Sequence, residues 1–338
     1  MSLGSAISAK RNKFNERWKQ ASTGEKWTVV GVLVSVLGVL VAVVFGVVQV
    51  LAWLYPQSPD ASTGQTSTGQ TSTPPNPTKP SRQVQLAEFN GILQHPGGIA
   101  VDNVGTLYVT DHDGNRVLEL AVGAPATTMP QFNGVRWPSA VATDSHRNVY
   151  VADAGNNRVL KWTPGSPAAI PIAEFAGRLN EPRGVAVDVD SNIYVADSGN
   201  GQVLKLVSSS GAIEKLPFIH LKTPTAVAVD DAESVYVADD NIPHVSELTQ
   251  TSQTDIFTYP PTVLGGPRGL AVDSNSSVYV TDFPSNQVLK LGANAPAPNP
   301  VGFTDLHNPT GVAVDSEGSV YVADWGSPGG RVLKMPPP

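Results

Sequence analysis

The sequence contains no cysteine among its 338 residues. Disulfide bonds, thiolate metal sites and thiol nucleophiles are therefore excluded. Charged residues are also unevenly distributed, because residues 28–55 contain no Asp, Glu, Lys or Arg. Basic charge is scarce after that stretch, where residues 56–338 hold 16 Lys or Arg against 27 Asp or Glu. This acidic balance argues against nucleic acid as a partner, since nucleic acid needs a basic face.

The uncharged stretch predicts one transmembrane α-helix over residues 28–55. Its apolar run of 25 residues would be about 37 Å long as a helix, enough to cross a hydrocarbon core of about 30 Å. Six Lys or Arg precede it, so a cytoplasmic basic tail is predicted over residues 1–27, with the rest of the chain outside a single-pass cell membrane anchor. Gly38, Ala42 and Gly46 recur at every fourth position, which favours a homodimer through this helix.

The next segment, residues 56–83, is rich in Ser, Thr, Gly and Pro, as in STGQTSTGQTSTPPNPTKP. A polar segment of this kind cannot bury enough apolar surface to fold. We predict a disordered stalk.

A seven-residue motif that begins with proline and ends with aspartate occurs six times after the stalk. PGGIAVD begins at Pro96, and the other copies begin at residues 138, 182, 224, 267 and 309, at intervals of 42 to 44 residues. Each copy is followed by a second run such as LYVTD and a third such as RVLEL, which have the composition of strands. A fourth, less regular run ends in an aromatic residue. Four strands in about 42 residues predict an all-β fold, a six-bladed β-propeller.

The sixth repeat stops at Met335 and three prolines, with no room for a fourth strand. The segment VQLAEF, residues 84–89, ends in an aromatic residue seven positions before Pro96, although no blade precedes it. We expect this N-terminal strand to complete the sixth blade and close the ring, which leaves no terminal edge open. The propeller domain is therefore predicted to be residues 84–338.

The phrases P-x-G-[VI]-A-V-D, [VI]-Y-V-[AT]-D and G-N-x-[RQ]-V-L-K-L resemble the NHL repeat over about residues 84–335. With one span and a stalk ahead of it, the arrangement is similar to the extracytoplasmic sensor of mycobacterial receptor serine/threonine kinases. This resemblance implies a sensor function and an actinobacterial source. Kinase activity does not follow, because no Gly-rich phosphate loop, catalytic Asp motif or DFG occurs in the chain. The fourth repeat departs from the pattern at residues 240–244.

Two aspartates recur in every repeat, one at the end of the first strand and one at the end of the second. They are Asp102, Asp144, Asp188, Asp230, Asp273 and Asp315, followed by Asp111, Asp153, Asp197, Asp239, Asp282 and Asp324. Chemistry takes place once per molecule, whereas these residues occur once per blade. We interpret them as caps that accept hydrogen bonds from the backbone N–H groups of the following turn.

Related propellers include lactonases and metal-dependent lyases, so an enzyme of this class is one alternative function. A zinc site needs about three His or carboxylate ligands that converge. The six histidines fall at different repeat positions, and none lies in a first strand, although His95, His112 and His307 could share one face. We predict no catalytic residue, no cofactor and no metal site. A structural or adhesion protein of the cell envelope is a further alternative.

The preferred prediction is a ligand-binding sensor module. In an antiparallel blade, the loop before the first strand and the loop between the second and third strands lie on the same face. The framework repeats while these loops vary, as expected of a scaffold that displays a site. Aromatic residues and Arg dominate recognition patches, and two arginines suit an anionic or glycan ligand or a protein partner. The predicted binding residues are Arg183, Arg268, Trp137, Trp325, Phe283, Asp240 and His112.

Overall fold

The computed structural model describes residues 83–337, apart from 242, 250–251, 258–263, 294, 296 and 327–328. Several predictions concern residues outside this part of the chain. They are the basic tail at 1–27, the transmembrane helix at 28–55 with Gly38, Ala42 and Gly46, and almost all of the stalk at 56–83.

The predicted fold class and localisation need one correction. Both included a transmembrane helix, and no helix among the described residues is long and apolar enough to cross a membrane. The apolar stretch on which that prediction was made lies outside those residues. The transmembrane helix and the single-pass membrane localisation are therefore withdrawn, whereas the all-β six-bladed propeller is confirmed.

Six four-stranded antiparallel sheets form the blades. Blade 1 contains β2 (Pro96–Val101), β3 (Leu107–Asp111), β4 (Arg116–Leu120) and β5 (Thr127–Thr128). Blade 2 contains β6 (Pro138–Thr143), β7 (Val149–Asp153), β8 (Arg158–Trp162) and β9 (Ile170–Pro171). Blade 3 contains β10 (Pro182–Val187), β11 (Ile193–Asp197), β12 (Gln202–Val207) and β13 (Ala212–Lys215).

Blade 4 contains β14 (Pro224–Val229), β15 (Val235–Asp239), β16 (His244–Leu248) and β17 (Gln253–Phe257). Blade 5 contains β18 (Pro267–Val272), β19 (Val278–Asp282), β20 (Gln287–Leu291) and β21 (Asn299–Pro300). Blade 6 contains β22 (Pro309–Val314), β23 (Val320–Asp324), β24 (Arg331–Met335) and β1 (Val84–Gln85). The described residues also form 3₁₀ helices at Ala87–Phe89, Pro130–Phe132, Ala154–Asn156, Ala173–Phe175 and Ser198–Asn200.

The second strand of every blade is buried along its whole length. Each blade packs against a neighbour on both faces, so these strands read as continuous apolar runs rather than alternating ones. The first strands contact one another around the axis, where they line a narrow cavity of about 60 Å³. The packed first strands therefore leave a narrow cavity at the centre of the propeller.

The ring closes as predicted, through the N-terminal segment. Strand β1 pairs with β24, with Val84 opposite Lys334, and the backbone N–H of Leu86 donates to the carbonyl of Val332 at 2.9 Å. The predicted strand at 84–89 was too long, because its aromatic end, Phe89, closes a 3₁₀ helix and is fully buried. An outer strand pairs on one side only, so two residues are enough to cover the edge of β24.

The aspartates at the ends of the first strands cap the following turn, as predicted. Asp144 accepts hydrogen bonds from the backbone N–H groups of His146 and Asn148, both at 2.9 Å. The hydroxyl of the buried Tyr150 donates to the same carboxylate at 2.9 Å. Burial acts to raise the pKa of Asp144, but these hydrogen bonds outweigh it and leave the pKa below its usual value. The carboxylate is thus held ionised inside the blade.

Candidate functional site

The aspartate at the end of each second strand fixes the loop that enters the first strand of the same blade. Asp111 accepts hydrogen bonds from the backbone N–H of His95 at 2.9 Å, and Asp153 accepts one from that of Arg136 at 2.7 Å. Both carboxylates are fully buried. The prediction that these aspartates cap the following turn holds for Asp239, which accepts from a backbone N–H two residues later at 3.0 Å. In the other blades the backbone donors to these carboxylates belong to the preceding loop, which carries the candidate site.

That loop and the loop after the second strand lie on one face of the ring, which we call the top face. The second position of each first strand also points there, and its six residues are Gly97, Ser139, Arg183, Thr225, Arg268 and Thr310. Three of them link neighbouring blades, because the hydroxyls of Ser139, Thr225 and Thr310 donate hydrogen bonds to the proline carbonyl of the next blade at 2.7 to 2.9 Å.

Blades 3 and 5 make the equivalent link from other residues. The Ser198 hydroxyl donates to the carbonyl of Pro224, and the Thr281 hydroxyl donates to that of Thr310 at 2.7 Å. The residue at the second position of the first strand is consequently not needed for the link to the next blade in blades 3 and 5. Arginine occupies it in both, as Arg183 and Arg268.

The two arginines keep much of their donor capacity. Arg268 forms an ion pair with Asp240 at 3.1 Å and lies over the ring of Phe283, with its guanidinium carbon 5.1 Å from the ring centroid. Its Nε is buried and donates to no described residue. Among the residues that the structure describes, Arg183 pairs only with Glu181, at a long 3.6 Å. Surface pairs of this kind contribute little, so both guanidinium groups are available to a ligand.

The residue before the proline is held in an unusual backbone conformation in three blades. Trp137 and Glu181 have φ values of 49° and 48°, a region that residues with a side chain seldom adopt. An asparagine of the preceding blade holds each of them, since Asn115 accepts from the backbone N–H of Trp137 at 2.9 Å and Asn157 from that of Glu181 at 2.8 Å. Such strain is concentrated at functional sites.

An arc of aromatic rings follows the top face across four blades. Trp137 stacks against His112 with a centroid distance of 6.3 Å, and His112 lies 5.2 Å from His95. His95 stacks on Trp325 at 3.7 Å, and Trp325 lies 6.2 Å from Phe283. The two tryptophans are 45% and 38% exposed. Flat, exposed indoles of this kind offer a surface on which a ligand ring can stack.

Asp113 joins the two imidazoles at the middle of this arc. Its carboxylate oxygens lie 2.7 Å from Nδ1 of His112 and 3.3 Å from Nδ1 of His95. Burial lowers the pKa of His95, and the hydrogen bond with His112 lowers the pKa of Asp113. The group therefore combines a carboxylate with an imidazole that is neutral at pH 7.

These elements surround a cavity of about 580 Å³ on the top face. Four of the predicted binding residues line it, namely His112, Trp137, Arg183 and Arg268. The other three adjoin it through the contacts given above: Asp240 and Phe283 with Arg268, and Trp325 with His95. His307 contacts the backbone carbonyl of Asp305 instead of the two other histidines.

Three segments of the chain match the NHL repeat family, at residues 136–162, 179–206 and 306–335. These segments are NHL repeats. They fall in blades 2, 3 and 6, and each spans the first three strands of its blade. No match was found among curated proteins.

Solved structures share the fold of this propeller at low identity. Virginiamycin B lyase from Staphylococcus aureus is 12% identical, with a TM-score of 0.55 over 75% of this chain and 87% of that one. A gluconolactonase from Xanthomonas campestris is 15% identical, with a TM-score of 0.60 over 73% and 87%. A Bacteroides thetaiotaomicron protein of unknown function is 19% identical, with a TM-score of 0.60 over 72% and 70%. At these identities the likeness concerns the fold alone.

His95 and Glu181 both line the cavity, but they were not among the predicted binding residues. Each directly precedes the proline that opens its repeat. Trp137, which was predicted, stands at the equivalent position of blade 2. The residue before each proline was therefore the signal that would have found the other two.

Proposed function

We propose that the propeller is a binding module that recognises an anionic oligosaccharide on its top face. The observation that carries this proposal is that Arg183 and Arg268 line one cavity beside an arc of exposed aromatic rings. Guanidinium groups bind carboxylates and phosphates with two parallel hydrogen bonds. Sugar rings carrying such groups would stack on the indoles of Trp137 and Trp325.

The hydroxyl groups at the cavity support binding over nucleophilic catalysis. Ser139, Thr225 and Thr310 donate to backbone carbonyls, so each proton is committed to the link between two blades. A nucleophilic hydroxyl needs a neighbouring base that takes its proton. We therefore assign these residues to the ring and the arginines to the ligand.

The proposal can be tested with the full-length chain on an array of uronic-acid, sulfated and phosphorylated oligosaccharides, each printed beside its uncharged parent. We expect an acidic member to bind and its parent to bind much more weakly. The double variant Arg183→Glu with Arg268→Glu should lose about 100-fold in affinity or more, because each charge-assisted pair contributes about 1.5–3 kcal/mol.

A matched control is Arg178→Glu with Lys215→Glu, which makes the same change in net charge at two exposed residues outside the cavity. This control should bind like the unchanged protein. The proposal is rejected if no acidic oligosaccharide binds better than its parent, or if both double variants lose the same affinity.

A second candidate function is metal-dependent hydrolysis or elimination. One observation favours it, the meeting of His95, His112 and Asp113 at the wall of the cavity. Turnover of γ- and δ-lactones by the full-length chain, lost in His112→Ala, would support this candidate. Lactone turnover that His112→Ala leaves unchanged would reject it.

A further inference from the structure

His95, His112 and Asp113 converge although they come from two separate loops. One possible ligand atom from each lies within 4.8 Å of those of the other two. The loops are tied together at this point, because the backbone N–H of His112 donates to the carbonyl of His95 at 2.8 Å. Asp111 accepts from the backbone N–H of His95 at 2.9 Å. The backbone thus fixes both imidazoles before any ligand arrives.

We propose that His95, His112 and Asp113 bind one divalent transition-metal ion, with zinc as the best-suited metal. Two imidazole nitrogens and one carboxylate oxygen form a ligand set that zinc and its neighbours accept. Ligand atoms about 2.0–2.1 Å from a tetrahedral zinc ion lie about 3.3 Å apart. The nitrogen–oxygen distances here are 3.3 Å from His95 and 2.7 Å from His112, to different oxygens of the Asp113 carboxylate. Side-chain rotation would bring one ligand atom from each residue around the ion, since these atoms already lie within 4.8 Å of one another.

The surroundings favour an ion with one position left open. Trp325 stacks on His95 with an angle of 11° between the rings, and the ring of Trp137 lies nearly parallel to that of His112. These contacts fix the orientation of both imidazoles from outside. Both histidines also line the cavity. Three protein ligands and an open fourth position are typical of zinc sites that hold water or a substrate group.

The proposal does not depend on the oligosaccharide proposed above, because the metal alone is the probe. An ion here would add a third positive group to the cavity that holds Arg183 and Arg268.

The test uses the full-length chain without an affinity tag, stripped with a chelator and titrated calorimetrically with zinc chloride. We expect one bound ion per chain. His95→Ala and His112→Ala should each weaken binding at least tenfold. His307→Ala is the matched control, because His307 lies in the equivalent loop of blade 6, is exposed and stands outside the cluster.

Cobalt(II) gives a second measurement, since a site with nitrogen and oxygen ligands produces visible absorption bands that report its geometry. These bands should appear in the unchanged chain and in His307→Ala, and be lost in His112→Ala. Circular dichroism melts of the chelator-stripped proteins separate a lost ligand from a lost fold. The proposal is overturned if zinc does not bind, or if the cluster variants bind zinc as tightly as His307→Ala does.

Discussion

We expect the propeller to unfold sharply at alkaline pH, because each blade buries one tyrosine against a carboxylate. The tyrosines are Tyr108, Tyr150, Tyr194, Tyr236, Tyr279 and Tyr321, and none is more than 6% exposed. Their hydroxyls donate to the aspartates that end the first strands, at 2.9 to 3.4 Å. Burial is the main cause that raises all six pKa values, and it raises that of Tyr108 to about 12.

The direction in which stability changes with pH follows from the raised pKa values of the tyrosines. The folded chain keeps these phenols protonated, so their contribution to stability is fully present below the unfolded pKa of about 10 and is lost as the pH rises through the folded pKa. For Tyr108 the shift from 10.0 to about 12 corresponds to about 2.7 kcal/mol. Six phenols that ionise only on unfolding lower the free energy of unfolding by at most about 8 kcal/mol per pH unit. Native domains have about 5–15 kcal/mol, which places the transition at about pH 11–12.

The assay follows tyrosinate absorbance and far-ultraviolet circular dichroism in the same samples as the pH is raised. We expect the two signals to change together in one steep transition. Tyr150→Phe should cost about 1.5–3 kcal/mol at pH 7 through the lost hydrogen bond to Asp144, and should make the alkaline transition shallower. If the six buried tyrosines ionise near pH 10 while the circular dichroism stays unchanged, the reasoning is refuted.

Two stability predictions test the closure of the ring and the aspartate that fixes each loop. A chain that begins at Gly91 should melt well below one that begins at Gln83, because it loses β1 and the fully buried Phe89. Removal of a phenylalanine side chain from a core costs about 3–5 kcal/mol. Equal melting temperatures would contradict the closure of the ring. Asp153→Ala should destabilise the fold by about 1.5–3 kcal/mol, since it removes the buried carboxylate that accepts from the Arg136 backbone N–H and the Arg158 side chain. The exposed Asp190→Ala should change stability little, and equal losses would contradict the assigned role.

The number and order of the blades could be predicted from the sequence because each blade repeats the same burial. Every second strand packs between two neighbours, so runs such as VYVAD recur with little change. The fourth strand could be predicted only in part. It lies at the outer edge, where two exposed residues such as Thr127 and Thr128 are enough. The regular signal in that segment comes from the buried aromatic of a 3₁₀ helix, as in Phe132 and Phe175.

The roles of the two aspartate sets show the same limit. A turn that follows an aspartate within four residues can be predicted from local spacing, and the first set behaves in that way, as Asp144 does. The second set accepts from a loop 16 to 17 residues earlier, as Asp111 does from His95. Only the register of the first and second strands brings these groups together, with Pro96 opposite Asp111.

The candidate site could be predicted by residue type and by face but not in its contacts. Four of the predicted residues line the cavity of the top face, and their binding of a ligand stays a prediction. The pairing of His95 with Trp325 could not be predicted, because it joins the first blade to the last across the closed ring. The histidine–aspartate cluster likewise depends on the backbone contact between two loops.

The second position of the first strand explains how a repeated scaffold acquires one site. Six identical blades would form the same hydrogen bond between neighbours six times and would present the same residue to the axis six times. Here the hydrogen bonds that link blades 3 and 5 to the next blade come from Ser198 and Thr281. Ser198 directly follows the second strand of blade 3, and Thr281 lies near the end of the second strand of blade 5. That shift releases one position in each blade without loss of the link between neighbours. Arginine fills both released positions, so two guanidinium groups line the cavity of a chain that is acidic as a whole.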